Sequence, residues 1–298
     1  MIRPGLYPDM PMAEYLADPC PTPSLSASLI HLICSRSPWH AWTASPRLNP
    51  AYVREEADRF DLGTAVHAFI LQGASDFVVV DAPDWRTQAA KTQREAARRV
   101  GRVPLLREQY DQVLAMAAAL MPQLAGFDEP RPFAVGRAEQ TLLWQEDGLW
   151  CRARLDWLHD SHETIDDLKT VGGSANPAAW SRTLFGMGFD IQAAWYRRGV
   201  KAVFGTEAAF RFVLIETDAP HAAAVVALGP DAQDLAEKKI RYGMRVWREC
   251  LESDVWPGYP RAIYHADLPP WEATAWGERL YRDTGGIIDD GRPLEELL

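Results

Sequence analysis

The sequence predicts an α/β fold, a mixed central sheet flanked by helices, and three observations carry that expectation. Between about 133 and 170 the chain is rich in alternating apolar and polar residues, the period-two pattern of half-buried strands. Around that stretch lie segments with helical spacing and helix-boundary residues, over 56–73, 86–98, 106–120 and 231–252. A length of 298 residues with 47% hydrophobic composition suffices to bury a large core, in one elaborated domain or two small ones.

Residues 1–50 are rich in proline and serine around a short helix, Ser26 to Cys34, bracketed by Pro23 and Pro38; this reads as an N-terminal helical cap over 1–55. The main domain then spans 56–298, with a helical insertion at about 86–120. Leu62 to Gln72 suits a helix that Gly73 ends, and Pro104 and Pro122 mark the boundaries of the next helices. Glu139 stands on an expected strand. In the next strand, Gly148 to His159, the alternation sets Cys151, Ala153, Leu155 and Trp157 on one side and Arg152, Arg154 and Asp156 on the other. A short polar link, Asp160-Ser161-His162, joins it to Glu163–Thr170 as an antiparallel hairpin. After it come a helix from Phe189, for which Gly199 and Gly205 fit the end and the adjoining turn, a strand over 208–217, and a helix from Asp231 to Glu252 stopped by Pro257. The tail, with Trp256, Tyr259, Tyr264, Trp271 and Trp276, reads as an irregular packed wrap with an acidic end.

The chemistry concentrates in the hairpin and the helix after it. Asp167 and Lys169 are two apart on a strand and so share a face, while Leu168 points into packing and leaves its carbonyl at the same level as a hard oxygen donor. The hairpin brings Asp156 near Asp167, and two neighbouring carboxylates repel each other unless a divalent cation sits between them. Gln192 and Tyr196 are four apart on one helix face. A surface hairpin of solvated charges beside an ordinary amphipathic helix explains each piece separately, but not their concurrence.

Composition narrows the classes. The formal net charge of -10 argues against indiscriminate adhesion to nucleic acid, so any such binding depends on a local field. Basic residues concentrate between Arg86 and Arg107, including Lys91, Arg94, Arg98, Arg99 and Arg102, and again at Arg197, Arg198, Lys201, Lys238 and Lys239; either group suits a DNA channel or a solvated helix face. Four cysteines, at 20, 34, 151 and 250, lack zinc or iron–sulfur spacing and suit a reducing cytoplasm. No apolar run reaches eighteen residues, so no membrane partner is expected.

These motifs resemble the PD-(D/E)xK nuclease superfamily and, within it, the RecE-like exodeoxyribonuclease VIII proteins of phages and prophages. The resemblance is carried by Arg154-Leu-Asp156-Trp, Ile165-Asp-Asp167-Leu-Lys169-Thr170, Gln192-Ala-Ala-Trp-Tyr196 and Gly63-Thr-Ala-Val-His67. It extends to Ser24-Leu-Ser26, Ser35-Arg-Ser37-Pro-Trp-His-Ala-Trp42 and Trp256-Pro-Gly-Tyr259. The acidic residue before x-Lys is aspartate where glutamate is commoner, which leaves carboxylate chemistry intact.

The resemblance implies a restriction-endonuclease-like core and a Mg2+ site, with Mn2+ as substitute, held by Asp156, Asp167 and the Leu168 carbonyl. It adds His67 from a neighbouring helix and Glu139 from the preceding strand. Lys169 would orient the nucleophile, Gln192 contact a phosphate and Tyr196 fix Gln192. It further implies 5'-to-3' degradation of linear duplex DNA to 3' overhangs, a single-strand annealing protein as partner, a homo-oligomeric ring, and a cytoplasmic phage or prophage setting. The competing expectations are a CRISPR-associated or RecB-like nuclease and a non-catalytic DNA-binding module.

Overall fold

The computed structural model describes residues 2–53, 60–73 and 77–284. In chain order these form β1 (Gly5–Tyr7), α1 (Met12–Leu16), α2 (Ala27–Ser35), α3 (Pro38–Thr43), α4 (Phe60–Gln72), β2 (Phe77–Val80), α5 (Gln88–Arg99), β3 (Val103–Leu106) and α6 (Arg107–Leu124). Next are β4 (Gly136–Glu146), β5 (Leu149–His159), β6 (Thr164–Val171), α7 (Pro177–Gly186), α8 (Phe189–Phe204), β7 (Ala209–Glu216), β8 (Ala223–Val226), α9 (Pro230–Ser253) and α10 (Pro270–Thr284). Met1–Gly258 is one compact unit and Tyr259–Leu298 another.

Six strands make the central sheet in the order β1-β4-β5-β6-β7-β8, parallel only between β6 and β7, so the expected mixed sheet is present. Both faces are covered. On one, Ile165, Phe210, Phe212 and Leu214 pack with buried residues of α2, α7, α8 and α9; on the other, Leu168, Val213 and Ile215 pack with α4 and α6. The alternation of β6 and β7 sorts these side chains, and it puts Asp167 and Lys169 on the α8 face, opposite Leu168. No helix among the described residues is long and apolar enough to cross a membrane.

The amino-terminal segment is fastened into this sheet. β1 pairs antiparallel with β4, an edge strand too short to show in the sequence pattern. Leu25 exchanges backbone hydrogen bonds with β5, from its N–H to the Trp150 carbonyl at 2.8 Å and to its carbonyl from the Arg152 N–H at 2.9 Å. Ser26 then precedes α2, as its type favours at a helix start.

Several expectations need correction. The insertion over about 86–120 is not purely helical: Val103–Leu106 within it forms a parallel pair with Phe77–Val80, a run of apolar and β-branched residues before it. Helix α6 passes through Pro122 to Leu124, giving up the hydrogen bond Pro122 cannot donate, while the burial of Leu120 and Leu124 on either side favours continuing the turn. Gly199 does not end α8. It lies inside the helix against Trp144, whose Cζ3 would stand 2.9 Å from an added Cβ, and the helix stops at Gly205, whose φ of 75° suits a residue without a side chain.

Helix α9 ends at Ser253, ahead of Pro257, with Asp254 in the left-handed region. The tail is not irregular throughout, since it contains α10. Trp256, before this unit, does pack against the main core. The helix expected from residue 56 begins among residues outside those described, as does the acidic end of the chain.

The strand alternation also fails at one point. Trp157, expected beside Leu155, packs in the α4/α6 cluster, and Leu158 takes the place on the α8 face. Opposite this slip Glu139 has a φ of 56°, and the flanking pairs Ala138↔Trp157 and Gln140↔Leu155 put Glu139 across from Asp156. The irregularity lies at the residues expected to carry chemistry.

Candidate active site

The β5–β6 ladder holds only two paired positions, Trp157↔Asp166 and Leu158↔Ile165. The next N–H along, that of Leu168, turns to a side chain and donates to Asp156 Oδ2 at 2.9 Å. The strands therefore part just where Asp156 and Asp167 face one another. Helix α8 closes the gap from one side, with Gln192 Nε2 donating to Asp167 Oδ1 at 2.8 Å, and α4 approaches from the other, with His67 Nδ1 at 3.4 Å from Asp156 Oδ2.

Asp167 is wholly buried, and its second oxygen, Oδ2, accepts no well-formed hydrogen bond, although it makes an ion pair with the Lys169 ammonium. Burial, and then the charge of Asp156, push the Asp167 carboxyl up to about 7. Burial, reinforced by Glu139 and opposed by Lys169, pushes Asp156 up to about 6. The His67 ring is held below its ordinary value by burial and by the Lys169 charge, with the Leu168 carbonyl acting the other way as a hydrogen-bond acceptor. Burial raises Tyr196 well above the ordinary phenol range, so it is a neutral hydroxyl, hydrogen-bonded to Gln192.

Asp156, His67, Glu139, Arg154, Thr170 and Tyr196 border a cleft of about 940 Å³. Glu139 faces this cleft, but its Oε2 is taken by Arg154 Nε at 2.6 Å. That pairing engages one of its oxygens, while its charge still acts on Asp156 and His67. Among the described residues no three His, Cys, Asp or Glu side chains converge as a metal-holding group. The donor set is narrower: two carboxylates, the neighbouring Leu168 carbonyl, and His67 at the rim. A divalent cation fits this arrangement on chemical grounds, because the donors are oxygens and the single ammonium of Lys169, paired with Asp167 Oδ2, does not offset two buried carboxylates.

The structure thus brings together Asp156, Asp167, Lys169, Gln192, Tyr196, His67 and the Leu168 backbone. Three supporting groups escaped the sequence reading. Phe189 and Phe212 lie against the Lys169 ammonium, and no local spacing reveals them. Behind the carboxylates, buried Asp166 accepts from His159 Nε2 at 2.6 Å, Arg211 Nε at 2.6 Å and the Phe133 N–H at 3.0 Å. Burial disfavours its charge, but these hydrogen bonds outweigh that and hold the carboxyl below its usual range. Charged neighbours on a strand were the only available signal.

The second basic group is largely spoken for. Arg198 pairs with Glu146 and Glu237, Lys201 with Glu207, and Lys239 with Asp190 at 2.6 Å, while Arg197 donates to the Ala208 carbonyl. These contacts fasten α8 to its neighbours and do not form an open cationic channel.

Residues 36–265 match the family model described as PDDEXK-like domain of unknown function (DUF3799). The chain belongs to this family. Among curated proteins none matches. Among solved structures it is similar to a candidate exonuclease from Eubacterium rectale, with 12% identity and a TM-score of 0.61, over 94% of this chain and 99% of that one. A phage-related exonuclease from Haemophilus somnus 129PT is 11% identical, with a TM-score of 0.32, over 78% of this chain and 96% of that one. The first likeness shows a shared fold, the restriction-endonuclease-like core expected of a PD-(D/E)xK protein.

Proposed function

We propose that this protein is a Mg2+-dependent DNA exonuclease, for which Mn2+ substitutes, degrading linear duplex DNA 5' to 3' and leaving 3' overhangs. One observation carries the reading. Two carboxylates that resist ionisation, Asp156 and Asp167, meet where a β-ladder parts, with Lys169 and Gln192 in contact with one of them. Family membership and the fold likeness support the same chemistry.

A bound divalent ion supplies charge stabilisation at the phosphoryl oxygens and a more acidic water. Asp156, Asp167 and the Leu168 carbonyl would hold it, with His67 at the rim. Lys169 directs its ammonium toward the nucleophile and screens charge developing on phosphate. Gln192 uses one amide N–H on Asp167, which orients the other toward a backbone phosphate, and the neutral Tyr196 hydroxyl steadies that amide. Assembly into a ring and delivery of the 3' strand to an annealing protein complete the proposal, in a cytoplasmic phage or prophage setting.

The deciding experiment offers end-labelled linear duplex, circular duplex and single-stranded DNA with magnesium, and tracks product length and polarity. Linear duplex should shorten from its 5' ends while circles survive. Nicked circles would replace the reading with an endonuclease, and loss from 3' ends with a nuclease of the other polarity. Binding without cutting would leave a non-catalytic DNA-binding module.

A further inference from the structure

We infer that Phe189 and Phe212 are positioning residues for Lys169, holding its ammonium beside Asp167 by their ring faces once Asp167 Oδ2 is engaged elsewhere. The inference rests on the nuclease reading, which gives Lys169 its task. Lys169 Nζ lies 4.9 Å from the Phe189 ring centroid and 5.9 Å from that of Phe212. Both are within the range at which a ring face attracts a cation.

The same elements that supply the polar groups supply the rings. Phe212 stands opposite Asp167 in the parallel β6–β7 register, and Phe189 opens α8 three residues before Gln192. The rings are themselves braced. Trp180 stacks on Phe189 at 5.7 Å and meets Phe212 edge-on at 5.2 Å, while Phe210 packs on Phe212 at 4.8 Å.

A lysine ammonium rides on a flexible four-carbon stem and needs more than one restraint to keep a position. Here its carboxylate partner is also the residue assigned to the cation, so that restraint weakens when the site fills. Lys169 borders two further clefts, of about 460 and 560 Å³, so its stem has open space on that side and the ring of Phe189 is what lies there against it. Ring faces keep their attraction whatever Asp167 binds. Phe212 is fully buried and also serves the core, whereas Phe189 is partly exposed and borders both of those clefts, so Phe189 is the position to test.

Phe189→Leu keeps apolar bulk without the ring, and Phe189→Tyr keeps the ring. Measured on linear duplex DNA with magnesium, the leucine variant should lose about tenfold in kcat with KM unchanged and a melting midpoint lowered by no more than a few degrees for the lost stacking, while the tyrosine variant stays near wild type. In 13C-lysine-labelled wild-type protein, the Lys169 ε-methylene resonance should lie upfield through the ring currents, with and without magnesium. Phe189→Leu should move it toward the solvent position. Wild-type kcat in the leucine variant, an equal loss in the tyrosine variant, or a wild-type resonance at the solvent position would each overturn the inference. Should the leucine variant fail to fold, the wild-type resonance alone decides. If wild-type protein cuts no DNA, the nuclease reading falls while the resonance still reports the contact.

Discussion

Replacing Asp156 by asparagine separates the cost of the site from its use. In the metal-free protein the Asp156 carboxyl is pushed from 3.8 up to about 6, chiefly by burial. Its folded-state value therefore lies above its unfolded one. Stability from the protonated form is fully present below the unfolded value and is lost as pH rises through the folded value, so wild type should weaken between about pH 4 and 6. A displacement of about two pH units corresponds to about 3 kcal/mol.

Asparagine does not titrate, and its carbonyl oxygen can still accept the Leu168 N–H that Asp156 Oδ2 accepts at 2.9 Å. In chelator, Asp156→Asn should gain on wild type by about 2 kcal/mol between about pH 4.5 and pH 7.5, or about 3 °C in melting midpoint for a chain of this size. Urea unfolding monitored by tryptophan fluorescence measures this at both pH values. Added magnesium should then stabilise wild type at the higher pH and leave the variant unmoved, since only wild type keeps both carboxylates. DNA cleavage by the variant should be lost. A stability difference equal at the two pH values, or a variant weaker than wild type at the higher pH in chelator, would refute the reasoning about Asp156.

Lys169→Ala should cut cleavage by about two orders of magnitude while preserving stabilisation by magnesium, checked by single-turnover assay and thermal melts; near-normal cleavage would return Lys169 to a structural role. Asp166→Ala removes the acceptor shared by His159, Arg211 and the Phe133 N–H and leaves Arg211 short of its partner, so it should cost about 3–5 kcal/mol in urea unfolding. A loss below about 1 kcal/mol would show that the cluster is solvated. Gly199→Ala drives a Cβ to 2.9 Å from Trp144 Cζ3 and should cost about 1–3 kcal/mol, read as a lower urea midpoint with an unchanged slope.

Features governed by a local period were legible in the sequence. Asp167 and Lys169 sort to one face of β6 and Leu168 to the other because a strand alternates, and Gln192 and Tyr196 share a face because a helix turns in about 3.6 residues. The face of Trp157 was not legible, because the strand slips opposite a left-handed Glu139 that no periodicity encodes. Nor were the pairings of Glu139 with Arg154 and of Arg198 with Glu146 and Glu237, since the order of charges along a chain does not say which of them meet. Phe212 stands opposite Asp167 only through a parallel pairing between strands far apart in the chain. These blind spots gather around the carboxylates for one physical reason. A site that parts a β-ladder to free two carboxylates must break the pattern by which strands are recognised, and it must be braced by contacts distant in sequence. The same break gives the Leu168 N–H to Asp156 and leaves Asp167 to side-chain partners, Gln192 and Lys169, so the local failure of alternation is itself a consequence of how the chemistry is built.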